Sequence, residues 1–322
     1  LTLVGLLVGA CGSGPASQAP SSGPAASGPG ASGPGASAGA SSAPAGNLVV
    51  AVTSDADTLF PWKATQFQAV AILGTIYGTL TELDDKLEVV PGLAESWTAS
   101  DDGKTLTLTL RSGVQFHDGK SFSSADVKFS LDKIREEATA AVAASSLASI
   151  DEVQAPDPGT VVLKLKNPDA AILASLASVN LAMLSKDDTE AGLGTKPNGT
   201  GPFAFRDRKP NEAITLAANP TYWGDAPKLA TVEFRIIPEE TSIVSALQSA
   251  NVHLAVLDDP AVAKSAEGGG ITVTKTPQLA YHVLQLNARR APLDNLKVRQ
   301  AIACAIDRQQ VIDTAALGEG EV

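Results

Sequence analysis

A segment of very low complexity limits which part of this chain can fold. Residues 12–46 consist almost wholly of Ala, Gly, Ser and Pro, contain no charged or aromatic residue, and carry the pentad Ala-Ser-Gly-Pro-Gly at 26–30 and again at 31–35. Such a segment buries too little apolar surface to offset the entropy lost on ordering. We therefore predict a disordered tether of about 35 residues with an end-to-end distance of roughly 30–35 Å. The folded body is expected from Asn47 to Val322.

The residues before the tether resemble an export signal. An apolar run from Leu1 to Ala10 leads into Val8-Gly9-Ala10-Cys11, which resembles the lipobox of bacterial lipoproteins, where the cysteine carries the lipid. A run of this length is too short to span a bilayer, which takes about 20 residues. Because the chain starts at Leu1 without Met or a basic segment, we expect residues 1–11 to be part of a signal peptide. The alternative is that Cys11 is an ordinary small residue at the end of such a peptide.

The charge of the chain excludes one class of partner. The sequence has 24 Lys and Arg against 35 Asp and Glu, which gives a net charge of −11. An acidic surface repels nucleic acid, so we predict no nucleic-acid partner.

The second cysteine lies in an apolar pattern near the end of the chain. Residues 298–306 place apolar side chains at helical spacing, and we predict one helix from Val298 to Ile312. Cys304 is expected to be a small buried core residue of this helix, because a lipid on Cys11 leaves it without a disulfide partner.

Several runs predict regular structure in the folded body. Residues 48–53 are typical of a buried strand, and a helix is predicted over 67–77. The alternating runs 105–110 and 160–166 predict two strands that pair in a small antiparallel sheet. Between them, Ser123 and Asp126 have the spacing of a helix capping box.

A strand, a helix and a strand follow one another over residues 231–237, 239–250 and 253–257. This order predicts a βαβ unit with parallel strands and a right-handed crossover. Ligands of open parallel sheets bind beyond the carboxyl ends of the strands. The loops at 53–55 and 258–259 are therefore the expected binding loops.

Motifs along the whole folded body resemble one known family. They are Val90-Pro-Gly-Leu-Ala-Glu-Ser-Trp97, Leu110-Arg-Ser-Gly-Val-Gln-Phe-His-Asp-Gly119, Ser124-Ala-Asp-Val-Lys-Phe-Ser130, Gly199-Thr-Gly-Pro-Phe203, Asn219-Pro-Thr-Tyr-Trp-Gly224, and Leu286-Asn287 followed by Pro292-Leu-Asp-Asn-Leu-Lys-Val-Arg-Gln-Ala-Ile302. In this order they resemble the extracellular solute-binding proteins that serve peptide and nickel ABC importers.

The resemblance implies an α/β fold of the periplasmic-binding-protein type, with two lobes and an extra α+β subdomain. By that pattern residues 47–80 and 194–278 form the first lobe, 81–193 form the inserted subdomain, and 279–322 begin the second lobe. Because the second lobe of the family is long, we expect most of it to be missing from this chain.

The resemblance also implies a function without catalysis or cofactor. Solute enters between open lobes, the lobes close, and the closed form docks on an ABC permease. The expected protein is a monomer that lies outside the cytoplasm, in the periplasmic space or at the cell surface, and binds peptides or other small solutes. The residues expected to contact solute are Ser54, Asp55, Thr58, Gln66, Asp258, Asp259 and Tyr281.

Other functions have weaker support in the sequence. Ser130-Leu-Asp-Lys133 matches the S-x-x-K pattern of penicillin-binding enzymes, but the chain has neither S-D-N nor K-T-G. The histidines His117, His253 and His282 form no H-x-x-x-H pair, so no metal site is predicted, and His117 is expected to serve a turn. A lipoprotein that senses solute without a transporter remains an alternative to an importer subunit.

Overall fold

The computed structural model describes residues 44–275 and 283–322. The strands within these ranges are β1 (Asn47–Val52), β2 (Thr81–Leu83), β3 (Val89–Pro91), β4 (Ala94–Ala99), β5 (Thr105–Leu110), β6 (Ile150–Asp157), β7 (Thr160–Leu165), β8 (Phe203–Lys209), β9 (Ala213–Ala218), β10 (Thr231–Ile236) and β11 (Leu254–Ala255). Predictions made for Cys11 and Tyr281 lie outside the described residues.

The α-helices within the same ranges are α1 (Phe67–Ile76), α2 (Ser124–Arg135), α3 (Ile172–Ser175), α4 (Glu190–Thr195), α5 (Glu240–Gln248), α6 (Pro260–Ser265), α7 (Leu296–Ala305) and α8 (Arg308–Ala315). None of the helices in the described part of the chain is both long and apolar enough to cross a bilayer.

A mixed five-stranded sheet is formed by β1 near the start of the described chain and by four strands between residues 203 and 255. Its order is β11-β1-β10-β9-β8, in which β1 runs parallel to both β10 and β11 while β8, β9 and β10 are antiparallel neighbours. The predicted βαβ unit is confirmed in that β10 and β11 are parallel strands joined through α5. β1 lies between them, and its apolar Val50 and Ala51 are buried in two different clusters.

A separate antiparallel sheet has the order β4-β5-β7-β6. The predicted pairing of the two alternating runs is confirmed, since β5 and β7 are antiparallel with Thr105 opposite Lys164. Leu106, Leu108 and Leu110 point into the core while the threonines between them do not, which is the consequence of the two-residue period of a strand. Residues 81–83 and 89–91 form a small two-stranded sheet of their own.

α2 covers the four-stranded sheet and starts as the sequence predicts. Ser123 precedes the helix, and its amide and its hydroxyl both donate to Asp126 Oδ2 at 2.9 Å, which completes a capping box. The second carboxylate oxygen of Asp126 accepts the amide of Lys186 at 3.1 Å. The cap therefore also binds the loop at Lys186.

One continuous apolar core joins the two large sheets. Trp62 lies in it, 3% exposed, and donates its indole N–H to the carbonyl of Ala182 at 2.9 Å. All strands of the five-stranded sheet fall within 47–80 and 194–278, and all strands of the other two sheets fall within 81–193. The division into a first lobe, an inserted subdomain and the start of a second lobe remains a proposal.

Two predictions for the end of the chain are wrong. The helix predicted over 298–312 is two helices, because Ile306 is extended and Asp307 caps the second helix by accepting the amide of Gln310 at 3.0 Å. An aspartate is more favourable at a helix start than inside a helix, and apolar spacing alone does not reveal such a break. Cys304 is exposed instead of buried, because no apolar core among the described residues covers its side of α7.

Candidate solute-binding site

The carboxyl ends of three parallel strands lie along one edge of the five-stranded sheet. Val52 at the end of β1 is the register partner of Ile236 at the end of β10, and Ala51 is the partner of Ala255 at the end of β11. The loops that leave these ends, at 53–58, 237–239 and 256–259, are therefore neighbours. This is the edge at which open parallel sheets bind their ligands.

The loop after β1 meets the start of α1. Ser54 Oγ lies 3.4 Å from Gln66 Oε1, and Gln68 Nε2 donates to Thr53 Oγ1 at 3.1 Å. Gln66 is exposed and Ser54 is half-buried, and the side chain of Gln66 does not cap the helix it precedes. Two of the predicted residues are thus brought together, with polar groups accessible at the edge.

Asp55 occupies the same loop but its carboxylate is engaged by the protein. It accepts the amides of Ala56 at 2.8 Å and Asn211 at 2.9 Å, and it pairs with Arg208 Nη2 at 3.0 Å. Partial burial opposes ionisation, but the hydrogen bonds from Asn211 and Arg208 outweigh it and hold the pKa of Asp55 below its usual value. Thr58 is also engaged, since its hydroxyl accepts the amide of Phe60 at 3.0 Å.

Asp57 was missed as a residue that shapes this loop. Its carboxylate accepts the amide of Thr65 at 2.9 Å and the hydroxyl of Thr65 at 2.6 Å, and its other oxygen accepts the amide of Thr58 at 3.0 Å. These bonds hold the loop against Thr65, the residue directly before Gln66. The only signal in the sequence is that Asp often accepts nearby backbone amides in loops.

The loop after β11 is held by the start of α5. Glu240, a second residue missed by sequence reasoning, accepts the amides of Asp258 at 2.9 Å and Asp259 at 3.1 Å. The carboxylate of Asp259 accepts the amide of Ala261 at 2.7 Å and caps α6. Asp258 itself is exposed.

A shallow cavity of about 300 Å³ lies between the starts of α5 and α6. Its lining residues are Pro238, Glu239, Glu240, Thr241, Asp259 and Val262. The hydrogen bonds of the two loops place four of the predicted residues in two groups along this edge. Ser54 lies beside Gln66, and Asp258 and Asp259 are held together by Glu240.

His117 serves a turn, as the sequence predicts. Its Nε2 lies 3.0 Å from the carbonyl oxygen of Gly201, and its Nδ1 accepts the amide of Gly199 at 3.3 Å, which together require the neutral ring with hydrogen on Nε2. Burial lowers the pKa of His117 below its usual value, although the Gly201 carbonyl and the charge of Asp118 oppose the shift. The ring thus joins the turn at 116–119 to the segment at 199–201.

Ser130 is placed in the core instead of at a catalytic site. Its hydroxyl accepts the amide of Leu184 at 2.9 Å and donates to the carbonyl of the same residue at 3.1 Å, and the side chain is fully buried. Lys133 points elsewhere and pairs with Glu136 at 2.8 Å. Within residues 44–275 and 283–322, no three His, Cys, Asp or Glu side chains are grouped to hold a metal ion.

Comparison with known proteins decides the family. The family model of the bacterial extracellular solute-binding proteins, family 5, matches residues 88–322. The chain belongs to this family. The family predicted from the sequence motifs is thereby confirmed, and its members are solute-binding transport proteins.

Individual members of family 5 show the same relationship. The glutathione-binding protein GsiB of Salmonella typhi is 31% identical over 279 residues, which cover 85% of this chain and 54% of the relative. The corresponding protein of Escherichia coli O6:K15:H31 is 32% identical with the same coverage. The chain thus spans about half the length of the curated relatives it matches.

Solved structures of periplasmic binding proteins share the α/β fold. DppA from Helicobacter pylori, solved with the peptide STSA, has a TM-score of 0.75 and 29% identity, with 85% of this chain and 59% of that chain covered. NikZ from Campylobacter jejuni, solved with Ni(L-His), has a TM-score of 0.77 and 26% identity, with 83% and 55% covered. The predicted periplasmic-binding-protein fold is confirmed.

Proposed function

We propose that this family 5 protein is the substrate-binding subunit of an ABC importer and captures peptides or similar small solutes. The observation that carries the proposal is the edge of parallel strands from which two neighbouring polar loops leave, on a chain that belongs to a family of solute-binding proteins. Binding and delivery need no covalent chemistry. No catalytic residue, metal or cofactor forms part of the proposal.

Some of the predicted residues are proposed to contact the solute, and others to shape the loops that carry these contacts. Ser54 and Gln66 are accessible at the edge and are the residues we propose to hydrogen-bond the solute, while Asp258 offers an exposed carboxylate on the neighbouring loop. Thr58 and Asp259 are engaged in local hydrogen bonds and shape the loops. Tyr281, which lies outside the described residues, completes the proposed set.

Peptides are the first choice of solute. The relatives named above bind glutathione, and the similar structures hold a short peptide or a nickel complex of histidine. Amino-acid backbone groups are common to all of these solutes. Hydroxyl and carboxamide side chains such as those of Ser54 and Gln66 recognise both the N–H and the C=O of such groups.

Replacing Gln66 tests the proposed site. We expect Gln66→Ala to weaken the affinity for a bound peptide about two- to tenfold, the value of one net hydrogen bond, without lowering the melting temperature. The matched control is Gln154→Ala, which removes a glutamine on β6 of the other sheet and is expected to leave affinity unchanged. Titration calorimetry gives the numbers, and equal affinity of the two variants contradicts the site.

The location that we propose is outside the cytoplasm, with a lipid on Cys11 as anchor and the segment 12–46 as tether. The folded body is proposed to act as a monomer. Both proposals rest on the sequence, and the family is extracellular by its description.

Lipid labelling tests the anchor. Behind a complete lipoprotein signal peptide, we expect Cys11→Ser to abolish incorporation of labelled fatty acid and to leave the protein unprocessed. Cys304→Ser is the matched control and should be labelled normally. Normal labelling of the Cys11→Ser variant contradicts the lipid anchor.

A further inference from the structure

The structure assigns Asp55 and Arg208 a joint role: we propose that they form a brace that positions the loop at 54–57 so that Ser54 and Gln66 can hold the solute. Asp55 is then a positioning residue that acts through Arg208 and does not touch the solute. The inference rests on the proposed function and deepens it. Four observations on this pair carry the inference.

The first observation is that both oxygens of Asp55 already bond to the protein. One carboxylate oxygen accepts the amide of Ala56, and the other accepts both the amide of Asn211 and a hydrogen from Arg208 Nη2. The side chain of Asp55 is only 12% exposed. We therefore expect a solute at this loop to contact Ser54 and not the carboxylate of Asp55.

The second observation is that Arg208 bonds the loop at two points. Its Nη2 donates to the carbonyl of Ala56 at 2.8 Å as well as to the carboxylate of Asp55 at 3.0 Å. An Arg Nη2 carries two hydrogens, so both bonds form at once. The guanidinium thus joins β8 to the backbone of the loop as well as to its side chain.

The third observation concerns the turn between β8 and β9. Asn211 lies in this turn with a positive φ of 59° and donates its amide to Asp55 at 2.9 Å. Asn tolerates this conformation better than most residues. The turn therefore supplies a second, independent point of attachment for the same carboxylate.

The fourth observation is the position of the brace relative to the accessible residues. Asp55 follows Ser54 directly, and Ala56 is 3% exposed, so the chain on one side of Ser54 is fixed against the hairpin. Asp57 fixes the other end of the loop through Thr65, which precedes Gln66. Both residues proposed to bind solute are therefore set by the geometry of the 54–57 loop.

Breaking the brace leaves a partly buried charge unpaired. The side chain of Arg208 is 24% exposed, and its Nε is buried with no hydrogen-bond partner among the described residues. Without Asp55 the guanidinium keeps the carbonyl of Ala56 as its hydrogen-bond partner among the described residues, and turning toward water then becomes more favourable. We expect the loop to move with it.

A double-mutant cycle on affinity tests the brace. Asp55→Asn and Arg208→Gln should each weaken binding roughly tenfold, by the same factor for cationic, neutral and anionic peptides, when measured well below the melting temperature. The double variant should bind no more weakly than the weaker of the two single variants, because either change breaks the same brace. Lys133→Gln, which breaks the exposed pair with Glu136, is the matched control and should bind as the wild type does.

Amide hydrogen exchange without solute gives a second measurement. Residues 54–58 should exchange faster in both brace variants than in Lys133→Gln. Three results would overturn the brace. They are a loss of affinity confined to cationic peptides in Asp55→Asn, wild-type affinity in both variants, and amide exchange unchanged at residues 54–58. A wild-type protein that binds no peptide contradicts the proposed function instead, and the exchange result then decides separately whether the pair holds the loop.

Discussion

Replacing Gly201 by Ala is expected to lower the free energy of unfolding by about 3 kcal/mol or more. A Cβ at this position would lie 2.6 Å from the carbonyl oxygens of both Thr75 and Ile76. The segment cannot retreat, because the amide of Gly201 donates to Ile76 at 2.8 Å and its carbonyl accepts from His117 and from Asn219. Either the end of α1 shifts or these three bonds are lost.

Gly194→Ala is the matched control for this prediction. Gly194 lies in α4, and a Cβ there meets no atom within 4 Å. Alanine in a helix is more favourable than glycine, so this variant should be as stable as the wild type or slightly more stable. Urea denaturation measures both. Equal stability of the two variants would show that α1 and the 199–201 segment do not pack as closely as described.

The second large effect is expected for Ser130→Ala, a loss of about 1–3 kcal/mol in the free energy of unfolding. The change removes one hydroxyl but leaves both the amide and the carbonyl of Leu184 buried without a partner. Ser245→Ala is the control, because that hydroxyl is exposed on α5 and bonds only within its own helix. Denaturant titration of the two variants gives the difference.

Penicillin labelling of the wild type and of Ser130→Ala tests the enzyme alternative. Ser130 is held by the backbone of Leu184 and Lys133 pairs with Glu136, so we expect neither the wild type nor Ser130→Ala to react with a fluorescent penicillin. Labelling of the wild type that disappears in Ser130→Ala would contradict the structural role. Unchanged stability of Ser130→Ala would contradict it as well.

Local patterns in the sequence were sufficient for most of the secondary structure. The strict alternation at 105–110 fixes which side chains of β5 are buried, and the spacing of Ser123 and Asp126 marks the start of α2. Both signals arise from neighbours within a few residues. These local preferences are kept in the folded protein because tertiary packing favours the same secondary structure.

Contacts between residues far apart in the sequence could not be predicted from such local patterns. The insertion of β1 between β10 and β11 depends on residues about 200 positions apart, and no local signal reports it. The break at Asp307 was missed because apolar spacing continues across it.

The candidate site shows the same limit at the level of single residues. That Ser54 and Gln66 lie close together could be predicted because they stand at the end of a strand and the start of a helix, while their contact with solute stays a prediction. The engagement of Asp55 by Arg208 and Asn211 could not, since these partners are more than 150 positions away. An aspartate after a strand has the same appearance in the sequence whether its carboxylate faces a ligand or an arginine.

The most direct test of the central claim is a calorimetric titration of the full-length protein with short peptides, glutathione and the nickel complex of histidine. We predict saturable binding of one peptide per chain, with an affinity that falls in Gln66→Ala and not in Gln154→Ala. Absence of binding to every one of these solutes would contradict the proposal that the edge of β1, β10 and β11 is a solute site.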